Sequence, residues 1–192
     1  MGGRIKVSDI PVRPAADEII SPAEIAAGFD RLAAELQPLV ETAECMLLGI
    51  MTGGMFPLVH LAERLQGDFL IDYCHATRYA GGTQGHKLVW LARPHEDLAG
   101  RTVIVIDDIF DAGMTLHAVA RHCAEAGAAR VCTAAMVIKE RVRAADVPLP
   151  DFTTGLRVPD RYVFGCGMDI YGRWRQLQAI YALQTSGDAK EG

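Results

Sequence analysis

Three carboxylates lie close together in the segment from Val103 to Thr115, directly after a run of β-branched residues. Asp107 and Asp108 are adjacent, and Asp111 follows three residues later. The vicinal hydroxyls of a sugar need hydrogen-bond acceptors, and hard divalent cations prefer carboxylate oxygens. The spacing therefore predicts that Asp107 and Asp108 hold a polar ligand, directly or through a cation. Asp111 would lie beside that ligand, where it can take part in proton transfer.

The residues after Asp111 are small and lead into a predicted helix, which suits them to bind an anion. The first turn of a helix carries unpaired N–H groups and the positive end of the helix dipole. Ala112, Gly113, Met114 and Thr115 are therefore predicted to cradle a phosphate group. An Asp-Asp pair alone is more often a solvated loop. Its fusion to this turn, between a strong strand and a strong helix, favours a binding site.

Short apolar runs alternate with amphipathic segments, and this alternation predicts the elements that position the carboxylates. An α/β fold follows, with a central parallel sheet flanked by helices, and ligands of such sheets bind at the carboxyl ends of the strands. The first helix begins at the capping sequence Ser21-Pro22 and is expected to end near Pro38, and Gly127 should cap the last helix. The predicted strands are 46–51, 69–74, 87–91, 102–106 and 131–138, and the predicted helices are 22–38, 55–65 and 115–126.

The whole chain, residues 1–192, is expected to form a single domain with a core of about 20–145. From Val147 onward the sequence is proline-rich and irregular, apart from a short strand near 162–165 and an apolar run near 179–183. We expect residues of about 147–184, together with the N-terminal segment, to form a small hood over the sheet. Residues 185–192 are polar and are expected to be a flexible tail.

Composition excludes several classes of protein. The net charge of −5 argues against non-specific binding to nucleic acid, which depends on clustered Lys and Arg. No apolar run approaches the roughly 18 to 20 residues of a membrane span, and the first twenty residues lack the apolar core of a signal peptide, so we expect a cytoplasmic protein without membrane contact. The five cysteines are scattered and odd in number, which indicates reduced, buried side chains.

The segment from Val103 to Thr115 resembles the signature with which type I phosphoribosyltransferases bind 5-phosphoribosyl 1-pyrophosphate (PRPP). Across about 47–183 the chain resembles their 6-oxopurine branch, the hypoxanthine-guanine phosphoribosyltransferases. The resemblance implies a type I phosphoribosyltransferase-like fold and purine salvage. The reaction it implies moves the phosphoribosyl group to N9 of hypoxanthine or guanine, giving IMP or GMP and pyrophosphate. It also implies Mg²⁺ as cofactor and a homodimer or homotetramer.

The resemblance assigns roles to two further loops. Thr52, Gly53 and Gly54 match the pyrophosphate-binding loop, whose backbone amides face the leaving group. This loop often contains a non-proline cis peptide, which the resemblance would place between Thr52 and Gly53 if it is present here. Many members carry lysine where this chain has Thr52, so only a backbone role carries over. Arg78 and Tyr79 match the mobile catalytic loop that closes over the reacting atoms, although many relatives have Ser-Tyr.

The remaining matches concern the base and the leaving group. Lys139 matches the lysine that hydrogen-bonds the purine O6, Tyr162 the aromatic residue that stacks on the purine, and Val163 the residue whose backbone reads the ring edge. Asp169 would join Asp107 and Asp108 as a metal ligand, on a second Mg²⁺. Arg175 would contact pyrophosphate, which a guanidinium fits well.

Three alternatives stay open at this point. The first is another base specificity, for xanthine or a pyrimidine; Lys139 and Asp111 favour a 6-oxopurine, since a ring with O6 and N7 can engage both residues at once. The second is a regulatory protein that binds PRPP and nucleic acid, against which the negative charge and the carboxylate of Asp111 argue. An inactive paralogue is the third alternative.

Overall fold

The computed structural model describes residues 14–41, 44–78, 88–143 and 147–184. Within these ranges the chain forms two sheets and three helices. In chain order the elements are β1 (Ala16–Ile20), α1 (Pro22–Val40), β2 (Cys45–Ile50), α2 (Met55–Ala62), β3 (Phe69–Arg78), β4 (Leu88–Ala92), β5 (Thr102–Phe110), α3 (Met114–Glu125), β6 (Arg130–Glu140), β7 (Phe152–Pro159), β8 (Val163–Phe164) and β9 (Ile180–Leu183).

The larger sheet has six strands in the order β4-β3-β2-β5-β6-β7. All neighbouring strands run parallel except β3 and β4, which pair antiparallel. Only residues 79–87 link these two strands, and a parallel crossover needs a connection of a dozen or more residues. The predicted α/β class is confirmed, and the antiparallel edge strand is an addition to it.

Strand β5 lies at the centre of the sheet because its side chains are apolar on both faces. Val103 and Val105 belong to the core beneath α3, whereas Ile104 and Ile106 belong to the core beneath α1 and α2. All four side chains are at most 1% exposed. Continuous apolar runs of this kind are typical of parallel strands covered by helices on both sides.

A second, three-stranded sheet in the order β1-β9-β8 joins the N-terminal and C-terminal parts of the chain. Arg161 fastens it, because its guanidinium donates to the Asp17 carboxylate at 2.8 Å and to the Leu183 carbonyl from Nε at 3.0 Å. We call this small sheet the hood, and the residues between β8 and β9 reach the same end of the molecule as the loop after β2.

Residues 152–159 are a strand, so the prediction of an irregular segment there was wrong. They form β7, which pairs parallel with β6 at the edge of the main sheet. The register shifts between Ala135 and Val137, and Gly155 nearby has φ +81°. A glycine inside a strand marks a bulge, and prolines flank the segment, so the local sequence masks a strand that pairing with β6 completes.

Helix α1 continues to Val40, so the prediction that it ends near Pro38 was wrong. A proline removes one N–H and leaves the carbonyl four residues earlier without its helical partner. Here Ala34 and Pro38 are both exposed, so water can reach that carbonyl. Leu39 and Val40 are buried, and their packing holds the last turn.

The expected cap at Gly127 and the expected state of the cysteines are confirmed, whereas β3 and β5 run further than predicted, to Arg78 and Phe110, and α2 ends earlier, at Ala62. Gly127 follows the end of α3 with φ +91° and donates its N–H to the Ala124 carbonyl at 3.0 Å, as a left-handed cap does. All five cysteines are free and buried, and burial raises the pKa of the Cys74 thiol to about 12. None of the helices in the described ranges is long and apolar enough to cross a membrane. The expected tail, 185–192, lies outside the described residues.

Helix α1 starts with a complete capping box, which gives a test of the local sequence signal. The Glu24 N–H donates to Ser21 Oγ at 3.3 Å, and the Ser21 N–H donates to Glu24 Oε2 at 2.9 Å. Ser21→Ala should lower the free energy of unfolding by about 1 kcal/mol, measured by urea denaturation, because one cap bond is lost. Ser21→Asp should retain most of this free energy of unfolding. An equal loss in both variants would contradict the capping explanation.

Candidate active site

A cavity of about 380 Å³ lies at the carboxyl ends of β2, β5 and β6, between the main sheet and the hood. Its wall is rich in charged side chains, unlike the core beneath it. Most of the residues predicted from the sequence meet there. The lining residues are Ile50, Met51, Gly53, Ala76, Asp107, Asp108, Ile109, Asp111, Thr115, Lys139, Tyr162, Val163, Met168, Asp169 and Arg175.

The cavity exists because β5 extends further than its neighbour β2. Strand β2 pairs with β5 only as far as Gly49 and Ile106. Beyond that point β5 pairs with β6 alone, through to Phe110 opposite Ile138. The sequence predicted that the strand would end at 106, so Asp107 and Asp108 were expected after it. They lie within the strand instead, beside the gap left by β2.

Asp107 and Asp108 each fix one oxygen on the backbone. Asp107 Oδ1 accepts from the Asp108 N–H at 3.0 Å, and Asp108 Oδ1 accepts from the Ile109 N–H at 2.7 Å. Burial raises the pKa of Asp107 well above its ordinary value, and the neighbouring Asp108 carboxylate adds to the rise. Burial also raises the pKa of Asp108, against the opposing effects of Asp107 and Arg175. The pair therefore favours a ligand that brings positive charge.

The loop after β2 packs directly against Asp108. A Cβ added at Gly53 would lie 1.7 Å from Asp108 Oδ2, so only glycine fits at this position. Gly54 is buried but its N–H donates to the Ile50 carbonyl at 2.9 Å, and it does not line the cavity. Thr52 is exposed and also lies outside the cavity wall. Of the three predicted residues of this loop, Gly53 alone faces the cavity.

A non-proline cis peptide is present in this loop, but one bond earlier than expected. It joins Met51 to Thr52, not Thr52 to Gly53. Met51 lines the cavity, and its N–H donates to the Cys74 carbonyl of β3 at 2.7 Å.

The turn before α3 surrounds a second, smaller cavity of about 70 Å³, which adjoins the first at Asp107, Ile109, Asp111 and Thr115. Gly113 begins the helix with φ +75°, and an added Cβ would lie 2.6 Å from the Phe110 ring. The structure therefore brings the predicted anion-binding residues around one small space. The residues that line it are Asp107, Ile109, Phe110, Asp111, Ala112, Gly113, Met114, Thr115 and Leu116.

Asp111 and Lys139 come together from the ends of β5 and β6. Lys139 Nζ lies 4.0 Å from Asp111 Oδ2 and 3.6 Å from Asp160 Oδ1. The other oxygen of Asp111, Oδ1, accepts from Arg141 at 2.7 Å. Two cations and two anions thus form one cluster, in which Asp111 and Lys139 face the cavity.

Arg143 ties the backbones of the two strands together. Its guanidinium donates to the Asp111 carbonyl at 2.6 Å, to the Phe110 carbonyl at 3.0 Å and to the Lys139 carbonyl, and it lies 5.0 Å from the centre of the Phe110 ring. The sequence did not lead us to predict a role for Arg141, Arg143 or Asp160. A signal was present, since positions 139, 141 and 143 are all basic and alternate residues of an extended chain point the same way.

On the opposite wall, Asp169 and Arg175 hold each other. Arg175 donates to Asp169 Oδ1 at 2.6 Å and to the Gly167 carbonyl at 2.6 Å. Asp169 Oδ2 accepts from the Gly172 N–H at 2.6 Å. Both residues line the cavity, and the charge of Arg175 acts on Asp108 across it.

Tyr162 and Val163 complete the wall from the hood. Tyr162 is 51% exposed, so one part of its ring is open to a ligand, and burial of the rest raises the pKa of its hydroxyl. Val163 is buried in β8. The predicted loop residue Tyr79 lies outside the described residues, and of Arg78 only the backbone, at the end of β3, is described. Their roles stay predictions.

The three predicted metal ligands do not form a preassembled site. Within the part of the chain that the structure describes, no group of three His, Cys, Asp or Glu side chains is placed to hold a metal ion. Asp107 and Asp108 share one wall, whereas Asp169 lies with Arg175.

The known proteins most relevant to this cavity are phosphoribosyltransferases. A family model described as a phosphoribosyl transferase domain matches residues 16–169. A hypoxanthine-guanine-xanthine phosphoribosyltransferase from Tritrichomonas foetus is 29% identical over 158 residues, which cover 81% of this chain and 84% of that protein. A hypoxanthine phosphoribosyltransferase from Salmonella typhimurium is 29% identical over 141 residues, covering 72% and 77%.

A solved structure gives the same picture of the fold. The crystal structure of a hypoxanthine-guanine phosphoribosyltransferase from Bacillus anthracis matches with a TM-score of 0.80 and 24% identity, over 88% of this chain and 98% of that one.

The clamp made by Arg143 gives a prediction about stability. Arg143→Met keeps an apolar side chain near Phe110 but removes the donors to three carbonyls. The free energy of unfolding should fall by about 2 kcal/mol, since hydrogen bonds from a charged group are lost. Arg121→Met removes an arginine that is 76% exposed on α3 and should change it by less than about 0.5 kcal/mol. Equal effects of the two substitutions in chemical denaturation would show that the clamp adds no stability.

Proposed function

Because the chain belongs to the phosphoribosyl transferase domain family, we propose that it transfers the 5-phosphoribosyl group of PRPP to N9 of hypoxanthine or guanine. The products are IMP or GMP and pyrophosphate. The named relatives act on hypoxanthine, guanine or xanthine, which supports a 6-oxopurine as acceptor.

One observation carries the choice of base. Asp111 Oδ2 and Lys139 Nζ are 4.0 Å apart on the same cavity wall. A 6-oxopurine presents O6 and N7–H on neighbouring positions of its edge, so the ammonium donates to O6 while the carboxylate accepts from N7–H. Tyr162, open on one side, stacks on the purine face. A pyrimidine offers no equivalent of N7.

The remaining walls suit the two ends of PRPP. The amides of residues 112–115, around the smaller cavity, bind the 5-phosphate, and Asp107 and Asp108 accept from the ribose hydroxyls. Arg175 and the Gly53 backbone face the pyrophosphate. Negative charge grows on this leaving group while the sugar becomes positive, so a fixed guanidinium stabilises the transition state more than the ground state.

Mg²⁺ fits the carboxylate pair. Magnesium in proteins is held by one or two carboxylates together with substrate oxygens and water, so a complete cluster of side chains is not required. Asp107 and Asp108 supply such oxygens, and burial raises the pKa of both carboxyls, an effect that a nearby cation would offset. When bound, the cation supplies charge stabilisation for the diphosphate. Asp169 as ligand of a second Mg²⁺ stays a prediction, as its oxygens already accept from Arg175 and Gly172.

Further parts of the proposal rest on the resemblance alone. Arg78 and Tyr79 would close over the reacting atoms and exclude water, which otherwise captures the activated sugar. A homodimeric or homotetrameric state, a cytoplasmic location and the absence of nucleic-acid and membrane partners complete it. Xanthine as the acceptor base and a regulatory PRPP-binding role are the alternatives, and the acceptor assay below distinguishes them.

The direct test is an absorbance assay with PRPP, Mg²⁺ and each purine or pyrimidine base in turn. Hypoxanthine or guanine should give nucleotide, and product formation should become negligible when EDTA removes Mg²⁺. Product from xanthine alone would replace the proposed base. No product with any base would overturn the proposed transferase activity and favour the regulatory role.

The role of Asp111 is tested by an isosteric change. Asp111→Asn should lower kcat by roughly 10² to 10⁴, because the purine N7–H loses its carboxylate acceptor. Asp30→Asn is the matched control, since Asp30 is 68% exposed on α1 and pairs with Arg64. Its kcat should equal that of the wild type. An Asp111→Asn enzyme with unchanged kcat would remove Asp111 from the mechanism.

A further inference from the structure

Arg141 contacts Asp111, the proposed catalytic carboxylate, at the oxygen that is not turned toward Lys139. Its guanidinium donates to Asp111 Oδ1 at 2.7 Å, whereas Asp111 Oδ2 is turned toward Lys139. The side chain of Arg141 is 39% exposed, and it does not line either cavity. Arg141 therefore contacts Asp111 from outside both cavities.

The two oxygens of Asp111 thus have different environments. A carboxylate on a loop beyond a strand end can rotate about χ2, which for Asp is a broad, roughly two-fold torsion. A charge-assisted hydrogen bond to one oxygen restricts that rotation and is about twice as strong as a neutral one. With Oδ1 held by Arg141, Oδ2 is the oxygen that faces Lys139 and the cavity.

We propose that Arg141 is a positioning residue, which holds Asp111 so that Oδ2 and the Lys139 ammonium present the spacing of the purine N7–H and O6. The inference rests on the proposed function, because it gives Arg141 its effect through the carboxylate that the base contacts. Arg143 has a different role, since it donates to the backbone carbonyls of Asp111 and Lys139 and does not hold either side chain.

The charges around Arg141 also indicate how the site should respond when Arg141 is removed. Arg141, Lys139, Asp111 and Asp160 form a cluster with two positive and two negative charges. Nearby Asp111 and Asp160 raise the pKa of Arg141, with the hydrogen bond to Asp111 as the main cause. Removal of Arg141 leaves Lys139 as the cation closest to both carboxylates, so Lys139 should turn from the base toward Asp111.

A double-mutant cycle tests the proposal. Arg141→Gln should lower kcat for the preferred purine by about tenfold, less than loss of the acceptor itself, and should leave the KM for PRPP within about twofold of the wild-type value. Arg141→Lys should recover most of the loss, since an ammonium can still pair with Oδ1. In an Asp111→Asn background, Arg141→Gln should cause less than a twofold further loss, because its effect passes through Asp111.

Two measurements keep the outcome clear. Arg121→Gln, at an exposed arginine that lies 3.9 Å from Glu125 on α3, should leave kcat and both KM values unchanged. Thermal unfolding should give the same midpoint for Arg141→Gln as for the wild type within a few degrees, so that any loss of kcat reflects the site.

The results separate this inference from the proposed function. Wild-type enzyme that gives no nucleotide from any base would overturn the proposed function and the role of Arg141 with it. If the wild type is active but Arg141→Gln lowers kcat by the same factor in the wild-type and the Asp111→Asn backgrounds, the positioning role is wrong. An unchanged kcat in Arg141→Gln would have the same meaning.

Discussion

The site depends on one mismatch between neighbouring strands. Strand β5 continues past the last residue it shares with β2 and is held there by β6 alone. The open side of that extension is where Asp107 and Asp108 lie, and the loop after β2 returns close enough for Gly53 to touch Asp108. A strand that ended at 106, level with β2, would leave both carboxylates on a solvated loop. Because Asp107 and Asp108 lie within the buried, paired strand, the directions of their side chains are fixed, and burial makes a nearby positive charge favourable.

The charges around this gap are arranged in pairs. Arg175 and Asp169 form one pair on the hood side, and Arg141 and Asp111 form another beside β6. Asp111, Asp169 and Arg175 thus each have a charged partner that restricts their rotation before a ligand binds. Such preorganisation lowers the cost of ordering the site when substrate binds. It also explains how an acidic chain can accept an anionic substrate, since its net charge of −5 does not describe the local field.

The features that departed from the sequence-based predictions have a common physical cause. Pro38 and the interrupted strand at 152–159 were judged by local propensity, which predicts a helix end and an irregular segment. Tertiary packing overrode both, through the buried residues Leu39 and Val40 in one case and pairing with β6 in the other. Arg141 and Arg143 were missed because their partners come from another strand.

The sequence by itself determined the α/β class, the start of α1, the carboxylates after an apolar run and the small turn into α3. These features are local, and residue type, periodicity and capping chemistry control them. Only the tertiary structure decided the distances between elements: which oxygen of Asp111 faces Lys139, that Gly53 and not Gly54 reaches the cavity, and that Asp169 holds Arg175. Such distances come from strand register and packing between residues far apart in the chain, and no local pattern encodes them.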